Sequence, residues 1–514
     1  MWWFIMSYML TLLIMLPISI ALMSPLLLKF LGYRVVVIIN SISLLLPGVL
    51  GFTYLLLMGS NTVLIEVLCV IKGIGTFAFL LDYLNLPILL SISIVTASVC
   101  IYSIPYMKHR FKEMLDEGEE APGWSIYLML YTLFSSSMLG IAASTNIIEF
   151  YLFLELSLIP SFLLIALYGY GDRRRIALMY FVWTHIGAQL FLIGSLIYGM
   201  STGSFDFYSV TLGRPLVGFG EYLPGRLAET ASILMVLGLF FKMAVLGMHF
   251  WLPYAHAQAP TPVSALLSPN LIGLAGYGIL RIVITLFPNI TYSFSTSLMI
   301  LSIATIIYGG LLALRQDDFK RLLAYSSISQ MGYILLGISS FTIIGFTGAI
   351  LHYLSHAVGK ALLFMAAGVF ITEHHGLRSI SRMGGFAASY PYLFALTLFG
   401  VMSLTGLPPS SCLISKFLII AGISSVIIKM GLTSMIILSI AVIVGIGLTL
   451  GYTFWTIKRI FFGPISLKNH TNTNPYFTIT MTIIALLGLI SFLYPKPFVD
   501  FLQTYLQNIL GGHE

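Results

Sequence analysis

The sequence is short of charge and of cysteine, and each shortage narrows what the chain can be. Only 8% of its 514 residues are Asp, Glu, Lys or Arg, against 58% hydrophobic residues, and the mean hydropathy is +0.99. So few charges cannot cover the surface of a water-soluble domain, so the composition predicts a polytopic membrane protein. The three cysteines, Cys69, Cys100 and Cys412, form no C-x-x-C pair. That argues against an iron–sulfur cluster, a structural zinc or a disulfide framework, and no histidine spacing asks for a haem. No cofactor or metal is expected. A basic patch interleaved with aromatics is also lacking, so the net charge of +7 does not point to nucleic acid. The Met1-Trp2-Trp3 start has no basic n-region or small-residue cleavage site, and reads as the beginning of a retained first span.

What is present is apolar runs long enough to cross a bilayer. Windows of about 20 residues give fourteen spans, near 3–28, 35–58, 84–105, 124–144, 146–169, 176–199, 229–252, 260–287, 292–314, 321–340, 343–372, 388–424, 433–457 and 475–494. The segment 61–83 carries Glu66, Lys72, Asp82 and two glycines and reads as a folded loop. Four regions follow: N-terminal spans and loop (1–83), a first half-channel region (84–287), a second (288–457), and a C-terminal span and tail (458–514). No long amphipathic extension is expected after the last span.

The basic residues divide unevenly between the two sets of loops. Those leaving odd-numbered spans hold Lys29, Arg34, Lys108, Arg110, Lys112, Arg173, Arg174, Arg175, Arg315, Lys320, Arg321, Arg378, Arg382, Lys458, Arg459 and Lys468. The opposite side has Lys72, Arg214, Arg226, Lys429 and Lys496. The positive-inside rule places the richer side in the cytoplasm and both termini outside. Lys242, Arg281, Lys360 and Lys416 fall within spans.

Lys242 follows an uncharged run from Thr230 to Phe241. A charge near the middle of a bilayer costs roughly 2.5–3.5 kcal/mol on insertion scales. Gly247, Pro253, Pro260 and Pro262 then loosen or end the helix, and broken backbone at membrane depth persists only where protein or water satisfies it. The combination predicts a hydrated cavity with a titratable group in its wall; a lysine snorkelling to the interface is the alternative. His249, Trp251 and His256 fit interfacial residues as well as functional ones.

Two further sets of titratable groups lie inside spans. Glu155 sits mid-span, one turn before Pro160, where a bare carboxylate needs a nearby cation, and Lys242 is the expected one. Glu149, six residues earlier, reads as a polar anchor. His352, His356 and Lys360 are spaced i, i+4, i+8 and form one polar stripe on an apolar helix. Groups one turn apart can pass a proton through intervening water, and histidine does so near neutral pH.

A proline-interrupted span carrying a lysine occurs twice, at Lys242 and at Leu404-Thr-Gly-Leu-Pro-Pro-Ser-Ser-Cys-Leu-Ile-Ser-Lys416. The two are five spans apart, an odd number, so they run in opposite directions, which is the pointer to inverted repeats. The expected fold is all-α and polytopic, with about 14 transmembrane helices, two inverted five-helix repeats and two broken helices.

The stretch from Phe241 to Ser268, Phe-Lys-Met-Ala-Val-Leu-Gly-Met-His-Phe-Trp-Leu-Pro-Tyr-Ala-His-Ala-Gln-Ala-Pro-Thr-Pro-Val-Ser-Ala-Leu-Leu-Ser, resembles a family signature. It is that of the antiporter-like membrane subunits shared by complex I (the chain 4, subunit M type), membrane-bound hydrogenase-type complexes and multisubunit sodium/proton antiporters (the D type). The resemblance runs from about residue 82 to 465. It includes Glu155, Arg315-Gln-Asp-Asp-Phe-Lys-Arg-Leu-Leu-Ala-Tyr-Ser-Ser-Ile-Ser-Gln330, the histidine stripe and Leu407-Pro-Pro. It implies a glutamate–lysine pair at Glu155 and Lys242 and an exit-side group at Lys416. The Arg315–Gln330 run is explained by a cytoplasmic loop and helix start.

Two departures stand out. The chain 4 type usually has glutamate where this chain has Lys416, and lysine where it has Gly273; Ser268, Asn270 and water, or His356 and Lys360, are the candidates to fill that gap. The resemblance implies a subunit without a redox centre that moves protons or sodium along Glu155, Lys242, His352, His356, Lys360 and Lys416. It would work in a redox-driven complex beside homologous membrane subunits and peripheral redox subunits, most naturally in a prokaryotic cell membrane. The alternative is the D-type component of a multisubunit sodium/proton antiporter.

Overall fold

The computed structural model describes residues 8–59, 62–120, 122–464 and 473–510. The Met1-Trp2-Trp3 start and Lys468 lie outside these residues. The principal helices, in chain order, are α1 (Met9–Phe30), α2 (Tyr33–Met58), α3 (Leu86–Asp116), α4 (Trp124–Ala143), α5 (Ile147–Tyr168), α6 (Arg173–Thr202), α7 (Gly225–Met243), α8 (Trp251–Gln258) and α9 (Thr261–Ile284). They continue as α10 (Ser295–Leu314), α11 (Phe319–Ser339), α12 (Ile343–Glu373), α13 (Pro391–Thr405), α14 (Ser411–Met430), α15 (Leu432–Phe461), α16 (Pro475–Leu493) and α17 (Lys496–Leu510). Among the described residues, thirteen helices are long and apolar enough to cross a membrane. The fold is that of an all-α polytopic membrane protein. The nineteen residues of α7 stand outside the thirteen because they carry Arg226, Glu229 and Lys242.

Local chemistry sets the helix starts. Asn146 accepts from Ile148 N at the head of α5, Asp318 from Arg321 N at α11, and Thr342 from Gly345 N at α12. Each satisfies a donor that the first turn leaves free. At α1 the task falls to a distant residue: the Glu66 carboxylate accepts from Leu10 N (2.9 Å) and Thr11 N (2.7 Å). Glu66 lies on an antiparallel hairpin, β1 (Leu64–Ile71) and β2 (Gly75–Leu81), with Leu64 opposite Leu81. The segment expected to be a folded loop is therefore this hairpin and the turn into α3.

The central axis is formed by α9, α11 and α12. The apolar stretches of α9 and α12 are wholly buried and that of α11 is 94% buried, whereas α15 is only 17% buried and belongs to the periphery.

Three expected boundaries shift. The run expected as one span over 229–252 stops at Met243, where Ala244 takes φ 57° and Gly247 φ 90°. The run expected over 388–424 is two helices, α13 and α14, parted at Gly406, whose φ of 84° suits a residue without Cβ. And α3 runs eleven residues beyond the expected 105, so Lys108, Arg110 and Lys112 are on a helix. The reason is the same at other span ends: Arg173–Arg175, Lys320, Arg321, Lys458 and Arg459 occupy first or last helical turns. Hydropathy windows treat such residues as loop, although a charged side chain is compatible with a helix that has reached the membrane surface.

Candidate functional site

The end of α7 leaves backbone groups that two indoles satisfy. Trp251 Nε1 donates to Phe241 O (3.0 Å) and Trp183 Nε1 to Met248 O (2.9 Å), while Leu246 N donates to Thr305 Oγ1 (3.3 Å). Irregular backbone at this depth is thus paired within the protein. Lys242, one residue before the end of α7, is 3% exposed. Helices α6 and α7 approach closely beside it. A Cβ on Gly187 would lie 2.4 Å from Phe241 Cβ, and one on Gly238 would lie 2.5 Å from Phe191 N.

Glu155 on α5 pairs with His185 on α6: His185 Nδ1 lies 3.2 Å from one carboxylate oxygen and 3.3 Å from the other. The far nitrogen, Nε2, lies 3.1 Å from Gln189 Nε2, which donates to Tyr151 OH at 3.0 Å. Lys242 makes no ion pair among the described residues. Its relation to Glu155 is electrostatic, since that carboxylate is the charge acting on it. Lys242 is thus the cation that acts on Glu155, and His185 is the carboxylate's contact partner. The signal for it is present in the sequence, because His185 is a titratable residue in an otherwise apolar span.

The second cluster gathers on α12. Lys360 Nζ donates to Leu323 O (2.7 Å) and to Ser326 Oγ, both on α11. His352 lies 3.1 Å from Ser415 Oγ through Nδ1 and 3.2 Å from Gln330 Oε1 through Nε2. Gln330 Nε2 in turn donates to Tyr452 OH (3.0 Å). Lys416 on α14 donates to the free carbonyls at the end of α13, Leu404 O (2.7 Å) and Thr405 O (3.3 Å), and its ammonium stands 4.4 Å from the centre of the Tyr333 ring. His356, between His352 and Lys360, is fully buried, and neither ring nitrogen has a hydrogen-bond partner among the described residues.

Lys320, expected in a cytoplasmic loop, is instead fully buried in the first turn of α11 and donates to Ala259 O, where the chain turns from α8 into α9. His256, also buried and unpartnered at both nitrogens, lies under the influence of Lys320 and Lys360. His352 lies under that of Lys416, and His356 under that of Lys360 and His352. These groups form an electrostatically connected line: Lys320, His256, Lys360, His356, His352, Lys416. Among the described residues no carboxylate forms an ion pair with any of its lysines.

Gly273, where the resemblance expects lysine, is covered by Tyr353: a Cβ there would lie 2.5 Å from the ring, and Tyr353 OH donates to Asn270 O (3.1 Å). Nearby, Ser268 Oγ and Ser327 Oγ are 2.6 Å apart, Ser91 Oγ donates to Asn270 Oδ1 (3.1 Å), and Asn270 Nδ2 is unpartnered. Arg281 lies outside the line. It pairs with Asp82, which also accepts from Tyr505 of α17, and all three are buried. Glu149 accepts from Thr145 N (3.1 Å) beside the hairpin, and its other oxygen has no partner.

In sequence, the family described as "NADH:quinone oxidoreductase/Mrp antiporter, TM" matches residues 144–445, and "NADH-Ubiquinone oxidoreductase (complex I), chain 5 N-terminus" matches residues 74–113. NADH-quinone oxidoreductase subunit M of Rickettsia prowazekii is 32% identical over 393 residues, covering 75% of this chain and 76% of the relative. F(420)H(2) dehydrogenase subunit M of Methanosarcina mazei is 30% identical over 439 residues, covering 84% and 83%. Three solved structures share the fold. A chain of respiratory complex I from Thermus thermophilus matches with TM-score 0.82 at 22% identity, covering 97% of this chain and 98% of that one. A chain of the Mrp complex from Dietzia sp. matches at 0.81 and 21%, covering 99% and 98%. A chain of an archaeal membrane-bound sulfane sulfur reductase matches at 0.82 and 21%, covering 98% of each. The chain is an integral membrane protein and an ion-translocating subunit, and it belongs to the NADH:quinone oxidoreductase/Mrp antiporter transmembrane family.

Proposed function

We propose that this subunit moves protons across the membrane along its buried basic line, inside a redox-driven complex related to complex I or to membrane-bound hydrogenases. The observation that carries the reading is the row of titratable side chains from Lys320 to Lys416, in which, among the described residues, no lysine forms an ion pair with an acid. Arg281, by contrast, is paired with Asp82. Counting α7 with α8 and α13 with α14 as two broken spans gives fourteen crossings. The two breaks, each beside a lysine, then head two inverted repeats within the half-channel regions 84–287 and 288–457.

With the basic helix ends in the cytoplasm, Lys320 stands at the inner end of the line and Lys416 toward the outer end. Beside the start of α11 a cavity of about 590 Å³ lined by Asp317, Asp318, His374 and Arg378 opens at the surface, close in sequence to Lys320. In the first half, Glu155 with His185 biases the proton affinity of Lys242. Gly273, covered by Tyr353, leaves the connection between the halves to Ser268, Asn270 and His356. The chain supplies no electron-transfer step of its own. Homologous membrane subunits and peripheral redox subunits are its partners, in a prokaryotic cell membrane with both termini outside.

The second reading, the D-type component of a sodium/proton antiporter, is favoured by the likeness to a chain of the Mrp complex. Purification of the native complex separates the two. Iron–sulfur subunits in it, with donor oxidation falling in step with pumping on Lys242→Ala, support the redox-driven reading. Antiporter subunits alone, with no donor oxidation, support the other.

A further inference from the structure

A cavity of about 390 Å³ opens where α2, α3, α12 and α16 end, on the face away from the hairpin. Four basic side chains line it: Arg34 from the first turn of α2, and Lys108, His109 and Lys112 from the last turns of α3. Lys108 and Lys112, spaced i, i+4, share one face of α3. Among the described residues, Arg34, Lys108 and Lys112 form no ion pair. Arg34 Nε donates to the neighbouring Tyr33 OH at 3.4 Å, and all three are exposed. The acids nearby are Glu373, in the wall, and Glu113, beside His109. The wall also holds Tyr33, Tyr476 and Phe477, aromatics of the kind that sit at headgroup level.

We propose that this pocket binds the phosphate headgroup of an anionic glycerophospholipid. Its position at the ends of four helices, on the side where the basic residues collect, is where headgroups meet a membrane protein. Basic pockets between spans on that side favour such lipids. The helices that line the pocket also carry exposed apolar residues further along, Val35, Ile38 and Ile42 of α2 and Ile479, Ile483 and Leu486 of α16, which acyl chains can meet. Arg34 supplies a planar fork for two phosphate oxygens, and Lys108 and Lys112 supply point charges. A free phosphate would use the cations and leave the exposed apolar residues uncovered.

The test uses the full chain in its native complex, transferred to nanodiscs containing phosphatidylglycerol and phosphatidylcholine, with bound lipid counted by native mass spectrometry. The wild type is expected to retain phosphatidylglycerol in preference to phosphatidylcholine. Each basic group near a headgroup is worth about fivefold. The triple variant Arg34→Gln, Lys108→Gln, Lys112→Gln, at exposed sites that leave the core intact, therefore loses retention on the order of a hundredfold. Equal retention of the two lipids, undiminished retention by the triple variant, or displacement of the lipid by millimolar inorganic phosphate would each overturn the proposal.

Discussion

His185 Nδ1 lies 3.2 Å from Glu155 Oε2, across the interface of α5 and α6. The carboxylate is partly exposed beside the histidine, and Lys242 on α7 acts on it without an ion pair among the described residues. A side-chain hydrogen bond contributes about 0.5–1.5 kcal/mol. Glu155→Gln keeps the shape and loses the charge, so assembly should survive and transport should fall at least tenfold by this reading, since 1.4 kcal/mol is about a factor of ten. His185→Phe should give a smaller fall in the same direction. Ion uptake into vesicles, normalised to assembled complex, measures both. Unimpaired transport by Glu155→Gln would remove that residue from the pathway.

The Tyr353 ring lies where a side chain at position 273 would have to go. Adding even a methyl group there overpacks the site, at a cost of about 1–3 kcal/mol. Gly273→Ala should lower the thermal unfolding midpoint of the purified protein, and Gly273→Lys more so. Gly273→Lys combined with Tyr353→Ala should recover part of the loss. If Gly273→Lys alone were as stable as the wild type, Tyr353 would not be what excludes a lysine at this position.

Arg281 and Asp82 are 199 residues apart and both buried, with Tyr505 donating to the same carboxylate. Removing one partner of a buried pair costs about 3–5 kcal/mol. Asp82→Asn and Arg281→Met should therefore reduce the yield of folded protein sharply. Tyr505→Phe, which removes the hydrogen bond donated to Asp82 and the one accepted from Arg281 Nη1 (3.3 Å) but leaves the ion pair, should cost less, about 1–3 kcal/mol. Transport per folded molecule should be unchanged in Tyr505→Phe; a loss of transport at full stability would place this cluster in the pathway.

The contrast between these clusters shows how much the sequence disclosed. Lys242, Lys360 and Lys416 are legible because a charge in an apolar run is costly and stands out, and the His352–His356–Lys360 stripe because helical periodicity puts the three on one face. Their partners are only partly legible: His185 stands out as a titratable residue within a span, but which group it meets does not. Glu155 contacts His185 because helix rotation sets the two on facing sides of α5 and α6, and rotation is not written in hydropathy. Hydropathy assigns Lys320 to a loop because it follows Asp317 and Asp318 at a span end. Only the fold shows that α11 starts before it and turns it onto Ala259 O. The helix ends at Met243 and Thr405 are blurred for a related reason: apolar composition continues through both interruptions, so a hydropathy window sees one span where the backbone makes two helices.

Lys320→Met removes the innermost charge of the line and leaves Ala259 O without its donor, whereas Lys320→Arg keeps a donor that does not release its proton. Both should assemble less well than the wild type, Lys320→Met the more so. Transport per assembled complex should fall in both, because neither side chain exchanges protons. Normal transport per complex in Lys320→Arg would show that Lys320 only holds the α8–α9 turn.

Lys416 carries the most direct test, because its ammonium already sits on the carbonyls of Leu404 and Thr405 and an arginine can keep those contacts. What arginine cannot do is give up its proton, since its reference pKa lies above about 12. The decisive measurement is proton translocation by the complex bearing Lys416→Arg, reconstituted in vesicles and normalised to assembled protein. Proton movement along the buried line predicts normal assembly and a loss of translocation of at least about tenfold. Full translocation by the arginine variant would show that Lys416 acts only as a fixed charge, and would contradict the line as a proton path.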